Sequence, residues 1–265
     1  MQKGFVRYTK GKLVYYTIPA FTKTGLVRHG FSTRLGGVST GETAELNLGF
    51  YRKDTRENVY ENFGILCGAL GIERDRLVLS KQEHHDGIRV ITAADCGKGI
   101  VRESDITDTD AFICNTPGVP AVVFCADCVP VFLLDVKKKA FGLVHSGWRS
   151  TVLEIAKKTV LKMQAEFGTE PKDVLAAIGP SIGQCHFEVD ADVAGQFDAP
   201  YQKQVGEKYH IDLWSVIVDQ LKSAGVQDEA ITLAELCTFC HSDEFFSNRA
   251  HKGKIGLMGA MMELI

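Results

Sequence analysis

Residues 119–151 constrain the fold more than any other segment. Val119–Asp135 is nearly continuous strand material interrupted by Pro130. Asp135-Val136-Lys137-Lys138-Lys139 then makes a polar turn, and Ala140–His145 is a second apolar run. Runs rich in Val, Ile and Phe and bounded by turn residues fit strands, so the segment reads as a hairpin ending on His145. Ser146-Gly147-Trp148-Arg149 follows, and from Ser150 or Thr151 a helical pattern sets Val152, Ile155, Ala156, Thr159, Val160 and Met163 on one face. A strand–turn–helix joint is where α/β proteins place chemistry. Its helix N-terminus favours anions near Arg149, and His145 there can bind a metal or move a proton.

Further short strand-like runs are Lys12–Tyr16, Gly25–Ser32, Leu77–Leu79, Ile88–Ile91, Ala111–Cys114, Ala121–Phe124, Val131–Asp135 and Val174–Ile178. Two more helices are expected. One begins near Asp54 as its cap, with Glu57 completing a capping box. Its stripe is Val59, Phe63, Leu66, Cys67 and Leu70, and Gly71 stops it. The other starts at Asp212 and runs through Leu213, Val216, Ile217 and Leu221 to Gly225. Helices interspersed with many strands predict sheet layers covered by helices. The expectation is one mixed α/β (α+β) domain spanning 1–265, with no linker, repeat or charge block to divide it.

A net charge of -3 gives no bulk basic character, so nucleic acid is not an expected partner. No signal-like N-terminus and no apolar run near the ~20 residues of a membrane span is present, which points to the cytosol and to no membrane partner. In that compartment the eight cysteines are thiols, metal ligands or catalytic groups rather than disulfides. Cys125/Cys128 and Cys237/Cys240 are C-x-x-C pairs, but their long separation disfavours one shared four-cysteine zinc site. A thioredoxin-like role is also disfavoured, because Cys125/Cys128 lies inside an apolar run.

Four segments carry candidate chemistry. Asp127 and Pro130 set a charge and a chain bend inside an apolar run beside Cys128, and a buried aspartate there needs partners. On a strand, Cys125 and Cys128 would point to opposite faces, so only one would reach a site. His84 and His85 likewise diverge on extended backbone, leaving at most one of them as a ligand, the alternative being a solvated loop pair. A His/Cys/His set from three segments suits zinc or copper with one open position. Arg34, in the Gly/Ser/Thr loop Ser32–Ser39, can present a cation to phosphate, although no Walker A ending is present.

These segments form an ordered series. It comprises Ser32-Thr33-Arg34-x-Gly36-Gly37-Val38-Ser39, Asn47-Leu48-Gly49, Gln82-x-His84, Ala126-Asp127-Cys128-x-Pro130, His145-x-Gly147-Trp148-Arg149, Ala177-Ile178-Gly179-Pro180-x-Ile182-Gly183, Cys185, Glu188-Val189, Cys237-Thr238 and Phe245-Phe246-Ser247. It resembles the YfiH-type family, long labelled laccase-domain or polyphenol oxidase proteins and now described as purine nucleoside phosphorylases with added adenosine deaminase activity. The resemblance runs from about Arg28 to Ile265 and implies a layered α-β-β-α, YfiH-like fold. It implies His84, Cys128 and His145 as metal ligands, usually for zinc with copper as the alternative. The substrates it implies are adenosine, inosine, guanosine and methylthioadenosine. The chain departs from the family pattern at His85, Ser150, Ala250 and Leu257, the last standing where an arginine is common.

The expected reaction is phosphorolysis: phosphate attacks C1′ of the ribose as the glycosidic bond breaks, and cations position the phosphate. Cys128, His145, His84 and Asp127 are the catalytic candidates, with Glu83 and His85 as neighbours able to move a proton. Arg34, Arg149 and Asn47 are the substrate- and phosphate-binding candidates. The H-x-E…P-C-x-x-C pattern of nucleobase deaminases is absent, so deamination would use another layout. Three rival readings are a copper-dependent polyphenol oxidase, a cysteine hydrolase pairing Cys128 with His145 on cell-wall precursors, and a purine-binding module without catalysis. The oxidase reading is weakened by the absence of any H-x-H pair.

Overall fold

The computed structural model describes residues 2–265. A seven-stranded sheet runs, edge to edge, through Gln2–Lys3, Ile231–Leu233, Val174–Ile178, Val129–Asp135, Ala140–Ser146, Ala111–Cys114 and Ile88–Val90. A six-stranded sheet runs through Val6–Lys10, Leu13–Thr17, Val27–Ser32, Met258–Leu264, Ala121–Cys125 and Val78–Leu79. The two sheets face each other across one buried layer that includes Phe31, Val123, Phe132, Phe141 and Met258. Fully burying an aromatic or aliphatic side chain of that size stabilises by roughly 1.5–3 kcal/mol, so this layer fixes how the sheets stack.

Helices cover both outer faces. Ile155–Phe167 and Leu213–Ser223 pack on the larger sheet through Ile155, Val160, Met163, Ile217 and Leu221. Arg56–Leu70 packs on the smaller sheet through Val59, Phe63 and Leu66. The result is a mixed α/β single domain in α-β-β-α layers, as expected. A small third sheet, Glu188–Val189, Lys208–Ile211 and Gln202–Val205, stands apart. No helix among the described residues is long and apolar enough to cross a membrane.

Three local expectations need correction. The helix Arg56–Leu70 is capped by Thr55, whose side chain accepts the Asn58 amide, not by Asp54. Asp54 instead accepts from Ser39, Asn47 and Asn58 side chains. The helix after His145 is two pieces, Trp148–Val152 and Ile155–Phe167, because Glu154 turns left-handed at φ 58°. Thirdly, the interruption in 119–135 falls at Ala126-Asp127-Cys128, not at Pro130, which lies within the strand Val129–Asp135. Pro130's carbonyl accepts from the Gly179 amide, just beyond the end of Val174–Ile178. A strand residue's N–H and C=O point the same way, so the missing N–H faces a place where no ladder bond is required.

Candidate active site and metal centre

The bend 126–128 carries the chain from the smaller sheet to the larger one, and Cys128 sits at that crossing. Cys125 ends the preceding strand in the buried layer between the sheets. The bend thus separates the two thiols, a result expected from strand alternation but reached another way. His145 arrives from the hairpin partner strand. His84 lies in the connection between Val78–Leu79 and Ile88–Val90. The three donor atoms of His84, Cys128 and His145 lie within 4.8 Å of one another, and Cys128 Sγ is 3.8 Å from His84 Nε2.

A residue not singled out from sequence organises this cluster. Asp110 is fully buried, and its Oδ1 lies 2.7 Å from His145 Nδ1. The same carboxylate accepts the backbone amides of Glu83, His84 and His85, each at 3.1 Å. Its own carbonyl accepts the His145 amide at 2.7 Å. Burial opposes a charge on Asp110, yet the His145 contact and the amides of Glu83 and His85 hold its carboxyl below the ordinary range. A charged carboxylate fixes a proton on His145 Nδ1 and leaves Nε2 for a ligand, as histidine ligands in metal sites are held. His84, at φ 61°, and Asp127, at φ 90°, adopt left-handed backbone that is strained for residues with side chains. Both are over-determined: His84 by Asp110, and Asp127 by Thr238 and Arg249.

Burial raises the Cys128 thiol, but the charge and hydrogen bond of His145, then those of His84, outweigh it and bring the pKa down to about 6. Burial lowers His145, but Cys128 and then Asp110 push it up to about 9. The free protein therefore favours a thiolate beside an imidazolium. A Cβ on Gly147 would stand 2.7 Å from His84 Cδ2 and 3.3 Å from Cys128 Sγ, so only glycine leaves room at this joint. The donor set, its spacing and the carboxylate behind His145 fit a thiophilic divalent cation with one position left open.

The cluster lies on the floor of a cavity of about 900 Å³ whose walls include Phe50, Arg52, Arg56, Lys81 and Phe124. A second recess of about 390 Å³ shares His84, Cys128 and Asn248 with this cavity and includes Arg149 and Arg249. Arg149 faces this recess, its guanidinium 4.1 Å over the Trp148 ring.

The structure does not bring every expected residue to the cavity. Arg34 gives its guanidinium to the carbonyls of Ala44, at 3.1 and 2.8 Å, and Ser242, at 3.0 Å. It lies over Phe246 and lines neither hollow. Asn47 is buried and spends its amide on Gly49, Asp54 and Leu257, bracing the wall from behind. Both oxygens of Asp127 are engaged, by the Thr238 hydroxyl at 2.6 Å and the Arg249 amide at 2.7 Å, so it holds the bend. His85 pairs with Asp108 and Glu83 with Lys81, both outward.

Arg52 is a second residue that the sequence did not single out. It is half-buried on the cavity wall, and its guanidinium makes no hydrogen bond or ion pair among the described residues. A Cβ on Gly49 would touch both Leu257, at 2.8 Å, and Arg52, at 3.1 Å. Arg52 thus stands beside Leu257, where the family resemblance raised the expectation of an arginine. Its signal in the sequence was its place just after Asn47-Leu48-Gly49.

A layered α-β-β-α domain with a His/Cys/His cluster at the sheet crossing defines a YfiH-like protein. The sequence profile described as multi-copper polyphenol oxidoreductase laccase matches residues 28–265, and the chain belongs to that family. It is 36% identical over 255 residues to a purine nucleoside phosphorylase of Bacteroides thetaiotaomicron, covering 92% of this chain and 93% of that protein. It is 32% identical over 242 residues to the purine nucleoside phosphorylase YlmD of Geobacillus stearothermophilus, covering 88% of each. The crystal structure of YlmD from Geobacillus stearothermophilus superposes with a TM-score of 0.91 at 30% identity, over 98% of this chain and 99% of that one. The Bacillus licheniformis protein YfiH gives a TM-score of 0.91 at 29% identity over the same shares.

Proposed function

We propose that this protein is a purine nucleoside phosphorylase. On this reading it converts adenosine, inosine, guanosine and methylthioadenosine to free base and ribose (or methylthioribose) 1-phosphate, with adenosine deaminase as a side activity, in the cytosol. The observation that carries the reading is the cavity itself: a metal-ligand floor, an unpaired guanidinium at Arg52 and aromatic walls at Phe50 and Phe124. Its volume lies within the ~300–1,000 Å³ range of small-molecule sites. Relatives named for this activity match over most of their length.

Phosphate must sit against C1′ while the bond to the purine nitrogen breaks, and the ribose carries positive charge as it does so. Arg52 holds the phosphate by charge-assisted hydrogen bonds, with Arg149 the second cation, on the recess side of Cys128. Phe50 and Phe124 flank the base and exclude water. Asn248, which borders both hollows, offers an amide to the polar edge of the purine. His84, Cys128 and His145 would hold zinc, with copper as the alternative, and the ion supplies Lewis acidity at the floor of the cavity. Asp110 keeps His145 Nδ1 protonated throughout.

The oxidase reading needs several coppers. The two His/Cys clusters among the described residues hold two histidines and one, a poor fit to that chemistry. The pairing of His145 with Asp110 beside Cys128 also suits a cysteine hydrolase, which metal analysis separates because that mechanism needs no ion.

The test is to incubate the protein with adenosine, with and without phosphate, and chromatograph the products. Phosphate-dependent adenine is expected, and inosine if deamination occurs, with both lost in Cys128→Ala and His145→Ala. No phosphate-dependent free base from adenosine, inosine or guanosine would overturn the reading.

A further inference from the structure

Cys237 and Cys240 do come together with other donors, but not with Cys125 and Cys128. They meet Cys185 and His186, far from them in sequence. The four donor atoms lie within 4.8 Å of one another. Cys185 Sγ and Cys240 Sγ are 3.7 Å apart. His186 Nδ1 is 3.2 Å from Cys185 Sγ, 3.3 Å from Cys240 Sγ and 4.0 Å from Cys237 Sγ. A tetrahedral zinc with Zn–S of about 2.3 Å and Zn–N of about 2.0–2.1 Å has S···S edges of about 3.8 Å and S···N edges of about 3.6 Å. The observed spacings scatter around those edges.

We propose that Cys185, His186, Cys237 and Cys240 bind a second divalent metal, a structural zinc with a closed Cys₃His shell. Three further observations support it. The Gly183 amide donates to Cys237 Sγ at 3.3 Å, as backbone amides do to metal-bound thiolates. The His186 ring is fixed by stacking on Phe239, centroids 4.0 Å apart at 17°, which aims Nδ1 at the sulfurs. The four positions are filled by three thiols and an imidazole, a Cys₃His set that structural zinc takes. A disulfide between Cys185 and Cys240 would leave the imidazole and the third thiol without a role.

The ion would join two segments that flank the active site. Thr238, between the two C-x-x-C thiols, donates to Asp127 Oδ1, and the Arg249 amide donates to Asp127 Oδ2. The Arg249 guanidinium in turn donates to the His186 carbonyl at 3.2 Å. Binding at the four donors therefore fixes the partners that hold Asp127 in its left-handed turn, and with it Cys128. These residues act on the active site by positioning and touch no substrate.

The test separates this site from the His84/Cys128/His145 centre and does not depend on the enzymatic reading. Metal content is measured after zinc loading and gel filtration. Wild type is expected to hold two equivalents per chain. The double variant Cys128→Ala/His145→Ala should keep one, and adding Cys185→Ser and Cys240→Ser, both at exposed positions, should remove it. Cobalt loading of the first double variant should give strong thiolate-to-cobalt absorption that weakens with each serine. EDTA should lower that variant's melting temperature but leave the quadruple variant's unchanged. No metal in the first double variant, metal retained in the quadruple variant, or a Cys185–Cys240 disulfide in the purified native protein would each overturn the proposal.

Discussion

His145 Nδ1 lies 2.7 Å from Asp110 Oδ1, and this contact ties the hairpin to the His84 loop through one buried carboxylate. Because Asp110 also gathers three successive backbone amides, it sets both the tautomer of one candidate ligand, His145, and the backbone of another, His84. Asp110→Asn keeps the size but loses the charge and turns an N–H₂ toward donors. Partners behind metal ligands typically contribute 10–100-fold in affinity. A loss of that order at the His84/Cys128/His145 centre is therefore expected, measured by competition with a chromophoric chelator. Wild-type affinity in a folded Asp110→Asn protein would refute the role assigned to Asp110.

Gly147→Ala tests how tightly the joint is built. The added methyl meets His84 Cδ2 at 2.7 Å, and a ring held from behind by Asp110's grip on its backbone has little room to retreat. Metal affinity at this centre should fall about tenfold or more, a change of about 1.4 kcal/mol or greater. Gly68, inside the helix Arg56–Leu70 with nothing within 4 Å of a built Cβ, supplies the contrast. Gly68→Ala should stabilise by roughly 0.5–1 kcal/mol in a urea titration and leave metal binding unchanged.

The sequence made the local pieces legible. Ala111–Cys114 and Val174–Ile178 coincide with observed strands, the hairpin to His145 is as expected, and the helix expected from Asp212 spans Leu213–Ser223 with Asp212 as its cap. Periodicity and turn chemistry act over a few residues, which is the range such reading covers. Ile231–Leu233 and Met258–Leu264 were missed, although the latter is a central strand of the smaller sheet. The meeting of Cys185–His186 with Cys237 and Cys240, and of Asp110 with His145, arises from strand order, which no local pattern encodes. Asp110 left one faint trace, an acidic residue directly before an apolar strand. Arg34 misled because its Gly/Ser/Thr loop looks like an anion cradle, while the fold uses its donors to satisfy the carbonyls of Ala44 and Ser242.

The two arginines give opposite expectations. Arg52→Ala should raise KM for phosphate about 10–100-fold, the range of a charge-assisted contact worth ~1.5–3 kcal/mol, with little change in melting temperature. Arg34→Ala strips hydrogen bonds from two carbonyls and should cost roughly 1–3 kcal/mol of stability while leaving KM for phosphate unchanged. Steady-state kinetics with inosine at varied phosphate, alongside thermal unfolding, read both. The reverse pattern would return the phosphate role to Arg34.

His29, which is not among the candidate metal ligands, supplies a pH dependence of its own. It lies in the strand Val27–Ser32 with its ring 5.5 Å from Phe21, and Nε2 accepts the Ile18 amide at 2.8 Å, a bond that a proton on Nε2 would break. Burial pushes its pKa down from 6.5 to about 4. The unfolded chain therefore takes up a proton on this residue as pH falls below about 6.5, while the folded chain stays neutral until about 4. Folding stability must drop across that window and then level off. At ~1.4 kcal/mol per pH unit the full effect is roughly 3 kcal/mol. His29→Gln keeps an acceptor for the Ile18 amide and cannot titrate. Urea unfolding of both proteins should show the variant gaining on wild type as pH falls from 6.5 to 4, with carboxylates elsewhere contributing equally to each. A pH-independent difference between the two would mean that His29 is protonated in the folded protein as readily as in the unfolded chain.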